Sequence, residues 1–129
     1  LSDFRIMRLT GSWSRRCANW DLTLADEWIR NFGAENERDA YAIGLSTGPV
    51  EGKTRIFYQW QTVDEDAVFT PVSQDDFLHG SGFHGHVFGC KRSLGETVSL
   101  RCWGLVSKDR RLVAADHRGR FRLDLDFKF

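Results

Sequence analysis

Residues 121–129 constrain this chain more than any other stretch. Phe121, Leu123, Leu125, Phe127 and Phe129 alternate without a break against Arg122, Asp124, Asp126 and Lys128. A period of two is the signature of a β-strand with one apolar and one polar face. A helix would spread those five apolar residues around its axis. A strand this amphipathic is not stable alone, so the pattern requires a sheet. It predicts that the apolar face, with its aromatic rings, enters the core while the charged face meets water.

Similar signals recur along the chain. Phe4 to Leu9, Tyr41 to Leu45, Thr54 to Val63, Val68-Phe69, Phe83 to Lys91, Val98 to Ser107 and Leu112 to Ala115 all read as strands. In Thr54 to Val63, Ile56, Tyr58 and Trp60 share one face and Arg55, Gln59 and Gln61 the other, with Phe57 the exception. Ser46 to Lys53, holding two Gly and one Pro, is a turn that makes a hairpin of its flanking strands. One segment breaks the pattern. Leu24, Trp28, Ile29 and Phe32 fall at helical spacing before Gly33, which predicts a short helix over about residues 23 to 32. Ala34 to Asp39 reads as a solvated loop, and Ser73 to Asp76 as a turn or one helical turn.

These elements imply a mainly β single domain spanning residues 1–129. The expected architecture is an antiparallel β-sandwich or closed β-barrel of about seven to nine strands, with one short helix near the N-terminal third. The alternative is an α+β cone of curved sheet against that helix.

Eighteen basic and eighteen acidic side chains cancel, so no nucleic-acid partner is expected. No apolar run has the length of a membrane-crossing helix, and the reading is of a soluble chain with no membrane partner. The first residues do not resemble a signal peptide, and the start without Met fits a processed product. Three cysteines leave the compartment open, with secretion favoured. Cys90 and Cys102 fall near opposite positions of a hairpin turning at about residue 95, as a cross-strand disulfide or as two small buried side chains. Cys17 would then be unpaired.

Two constellations carry candidate chemistry. Aromatic rings beside fixed polar groups suit a sugar, and Tyr58, Trp60, Arg101 and Trp103 are the candidate ligand-binding residues. His84 and His86 point to one face of a strand and are candidate ligands for a divalent metal ion, with His79, Cys90 or His117 completing the shell. The Arg-rich stretch of Arg110, Arg111, Arg118, Arg120 and Arg122 alternates with aspartates and reads as a salt-bridged, solvated face.

His84-Gly85-His86 resembles the His-x-His of cupin-type barrels, which implies a metal. Gly11-Ser12-Trp13 is similar to the Gly-x-Trp that opens avidins and lipocalins. Cys17 to Leu24 with Ile29 to Gly33 resembles segments of cyanovirin-type lectins. The last two resemblances imply ligand-holding β proteins. The favoured expectation is therefore a non-enzymatic, lectin-like domain that binds a small molecule or glycan without a cofactor. A metal-dependent β-barrel enzyme is the alternative, and a structural module that assembles as a homo-oligomer is the third.

Overall fold

The computed structural model describes residues 5–36, 38–67, 82–109 and 117–128. Seven strands account for most of them: β1 (Ile6–Cys17), β2 (Trp20–Asn31), β3 (Asp39–Pro49), β4 (Thr54–Val63), β5 (Phe83–Ser93), β6 (Val98–Asp109) and β7 (Arg118–Phe127). Each pairs antiparallel with the next, so the spatial order is the chain order. β1 and β7 do not pair with each other, and the single sheet is unclosed. The mainly β, antiparallel expectation holds. Neither the second sheet of a sandwich nor the closure of a barrel is seen among the described residues.

The connections differ between the two ends of the sheet. At one end the turns span only residues 18–19, 50–53 and 94–97. At the other, the connections span residues 32–38, 64–82 and 110–117. The first turn is tight because Ala18 adopts a positive φ of 53°, which closes the two-residue hairpin.

The helix expected over residues 23 to 32 is not formed, because those residues lie mostly in β2, where all twelve residues from Trp20 to Asn31 pair with β1. Leu24 and Trp28 are four apart, an even spacing that places both on one face of a strand as readily as on one face of a helix. Ile29, which would have joined them on a helix, is instead buried on the opposite face. The loop expected from Ala34 to Asp39 is also corrected: Ala34 is buried and Asp39 opens β3. The polar stretch Arg15 to Cys17 continues β1. The short strands at Val68-Phe69 and Leu112 to Ala115, the turn at Ser73 to Asp76, and His79 lie outside the described residues.

The larger correction concerns which face is buried. The apolar residues of the last strand were expected inside, yet Phe121 is 74 % and Leu123 60 % exposed. The opposite face is the covered one. Ala40, Ala42, Val63, Leu105 and Asn31 are almost inaccessible although no second layer is described over them. A single sheet hides side chains this fully only by curving around them. Curvature in turn favours small inward groups, and Ala40, Ala42, Gly44, Gly85, Gly89 and Ser107 supply them. Gly89 shows the constraint most sharply, since a Cβ there would collide with the Cys102 carbonyl, the Trp103 Cβ and the Phe57 ring.

Candidate functional site

The outward surface is the unusual feature of the molecule. Following the register from strand to strand, its side chains include Leu9, Trp13, Leu24, Ile43, Leu45, Ile56, Phe88 and Val106, and then Phe121 to Phe127 at alternate positions. All of these are exposed. Exposed apolar residues scattered singly are ordinary, but a patch continuous over seven strands is not.

The apolar band does not run level across the sheet. On β1 it occupies Met7 to Trp13, centred near Thr10. The residue level with Thr10 passes through Glu27, Ala42, Gln61, Gly85 and Ser107 to reach Arg118 on β7. On β7, however, the band occupies Phe121 to Phe127, centred near Asp124. It has slid six residues toward the short-turn end over six strand spacings. At about 3.3 Å per residue and 4.8 Å per strand, the strands cross the perpendicular of the band at about 35°.

Aromatic residues mark the margins of the band. Trp28 and Tyr41 are opposed on β2 and β3 at the long-connection end, with Trp60 opposite Ile43 beside them, while Trp20 and Phe127 lie toward the short turns. Just past Trp28 and Tyr41, beyond the band on these strands, Arg30 grips Asp39 with two hydrogen bonds of 2.8 and 2.9 Å. The Trp28 indole donates to the same carboxylate at 3.2 Å, and the Arg30 guanidinium lies 5.2 Å from the Trp28 ring centre. The hydrogen bond from Arg30 is the main cause holding the Asp39 carboxyl below its usual range, against the opposing pull of burial.

One outward charge sits within the band. Asp26 is opposed by Gly11 on one side and Ile43 on the other, and its carboxylate lies over the space that a side chain at residue 11 would fill.

The inward face is polar and internally paired. Arg8 forms an ion pair with Glu27. Arg16 and Arg55 approach Asp21 at 3.3 and 3.4 Å, the Arg55 chain passing close to Gly48. The Trp103 indole donates to Asp124 at 3.2 Å, and Arg122 bonds the same carboxylate at 2.6 Å. At the long-connection end, wholly buried Asn31 accepts from the backbone N–H of Arg5 and of Gly33 and donates to the Asp66 carbonyl. That one side chain ties the start of β1 to two connections.

The candidate sugar-binding residues do not converge. Tyr58 and Trp60 point outward, whereas Arg101 and Trp103 point inward, and Trp103 is buried. His84 and His86 do share the outward face, with Phe88 and Cys90 below them. The His86 Nδ1 is 2.7 Å from the Tyr58 hydroxyl. Among the described residues no group of three His, Cys, Asp or Glu side chains is placed to hold a metal ion. Cys90 and Cys102 are directly opposed across β5 and β6, as free thiols. The arginines of β7 belong to the inward face, where Arg122 pairs with Asp124.

Sequence reasoning missed Asn31 and the Trp28–Arg30–Asp39 group. A single Asn carries no pattern, and the second group becomes a unit only when β2 and β3 are paired. Comparison with protein-family models, with curated proteins and with solved structures found no match.

Proposed function

We propose that this chain is the wall of a transmembrane β-barrel, with its outward band in contact with lipid. The observation that carries the reading is the inclined apolar band. Strands of closed membrane barrels tilt about 35–45° and present an outward apolar belt about 25 Å tall, flanked by aromatic residues. The incline of about 35° derived from the register falls in that range. Strands of 10 to 12 residues have the reach as well: at about 3.3 Å per residue, such a strand set at that tilt spans the hydrocarbon layer.

Three further features support it. The inward face is polar, which is the reverse of a soluble sheet and the normal state of a membrane barrel. Its ion pairs fill the space with side chains, which favours a sealed wall over a wide pore. Short turns at one end and long connections at the other give the sheet two unlike surfaces, as crossing a membrane with one orientation requires. No described helix is long and apolar enough to cross a membrane, but strands satisfy a different length rule.

This reading replaces the expectation of a soluble chain without a membrane partner. The glycan reading would need two separate half-sites, one on each face, because Tyr58 and Trp60 are divided from Arg101 and Trp103. The role proposed is thus to anchor the three long connections at one membrane surface.

The test is flotation after refolding in the presence of phosphatidylcholine vesicles. The protein is expected to float with the lipid and to resist extraction by alkaline carbonate. Recovery as a folded monomer in the aqueous fraction would overturn the proposal.

A further inference from the structure

We infer that one additional strand, contributed by the polypeptide N-terminal to Arg5, lies between β1 and β7 and closes the sheet. The inference rests on the membrane reading above. Within a bilayer the open edges of β1 and β7 have no water to satisfy their N–H and C=O groups, so an unclosed sheet does not persist there.

The topology fixes the number and direction of what is missing. In a seven-stranded antiparallel meander the first and last strands run the same way, and here both run from the long-connection end to the short-turn end. They cannot close on each other as an antiparallel pair. One strand running the opposite way pairs antiparallel with both. A second copy does not supply it. Two copies sharing one membrane orientation would bring β7 of one beside β1 of the other in parallel, breaking the pattern at both seams.

The side from which the strand arrives also follows. An upward strand ends at the long-connection end, where β1 begins and where Arg5 is already held by Phe32 and Asn31. At the other terminus, the chain does not turn back after Phe127. Lys128 continues extended, its N–H donating to the Thr97 carbonyl at 2.7 Å.

The edges specify the chemistry of the new strand. On the inward side of β7, Arg118 and Arg120 meet no carboxylate among the described residues, whereas Asp126 stands alone near the short turns. The complementary strand is apolar at its outward positions. Inward, it is acidic near the long-connection end and basic near the short-turn end.

The experiment attaches such a strand, of the length of β1, ahead of Leu1 and follows amide hydrogen exchange in phosphatidylcholine vesicles. A second version carries the same residues with the inward charges inverted, and the unfused chain is the reference. The unfused chain is expected to leave β1 and β7 unprotected while β3 to β5 are protected. The charge-matched fusion is expected to protect both edges, and the inverted fusion to lose that protection. Edges already protected in the unfused chain, as a monomer or as a dimer, would overturn the inference. So would a matched fusion that enters vesicles but leaves its edges exchanging, an outcome that spares the membrane reading. A fusion that stays in water sinks both.

Discussion

Tyr58 and Trp103 stand on opposite faces of the sheet. Tyr58 is level with Phe88 and Gly104 on the outward side, while Trp103 is level with Gly89 and Phe57 on the inward side. The same alternation that separates these two rings sorts the whole chain, apolar residues outward and polar or small residues inward. A sheet sorted this way has its solvent preferences reversed, and the predictions below follow from that reversal.

A charge placed in the middle of the band should be costly. Leu45 lies outward on the central part of β3, between Leu24 and Tyr58. Leu45→Arg is expected to destabilise the bilayer-folded protein by about 2–4 kcal/mol. Urea titration of vesicle-inserted protein measures this, and a change near zero would count against lipid contact at that position.

Asp26 gives the opposite sign. Its carboxylate faces outward within the band beside Gly11 and Ile43. Removing the charge with Asp26→Asn should raise stability in vesicles by something on the order of 1 kcal/mol. The same titration reads it, and a loss of stability would mean that Asp26 has a partner that the sheet does not supply.

Asn31 is expected to matter for folding far more than its exposure to any ligand would suggest. Asn31→Ala strands two buried backbone donors and one carbonyl, and should cost about 3 kcal/mol. Asn31→Asp keeps the acceptor for Arg5 and Gly33 and loses only the bond to Asp66, so its penalty should be smaller. Equal penalties would show that the two acceptor bonds contribute nothing.

Asp39 should give an acid limb to stability. Its carboxyl is held low in the folded state by Arg30, so it contributes stability above the unfolded value of about 3.9 and loses it as pH falls through the lowered folded value. Thermal melts of the protein and of Asp39→Asn should therefore converge in acid and diverge above about pH 5. Parallel curves at all pH values would remove the pair from the account.

Much of the fold was legible in the sequence. Alternation in Thr54 to Val63 divided Ile56, Tyr58 and Trp60 from Arg55, Gln59 and Gln61 as the structure does, and the turn at Ser46 to Lys53 and the opposition of Cys90 and Cys102 were read from spacing alone. Period and turn chemistry are local, so local reasoning finds them. The helix over residues 23 to 32 failed because Leu24 and Trp28 fit either period, and only pairing with β1 and β3 decides between them. The sense of burial failed for a deeper reason. Alternation says that Phe121 and Arg122 point opposite ways, but which of them meets the surroundings depends on what the surroundings are. The incline of the band is likewise invisible until the register joins Thr10 to Arg118 across the sheet.

Quenching by lipids brominated along their acyl chains tests the central claim most directly, using two variants that keep a single tryptophan each with the others changed to Phe. One keeps outward Trp60, and the other keeps inward, buried Trp103. The account predicts strong quenching of Trp60 and little of Trp103. Equal quenching of the two, or quenching of Trp103 alone, would contradict an outward face in contact with lipid.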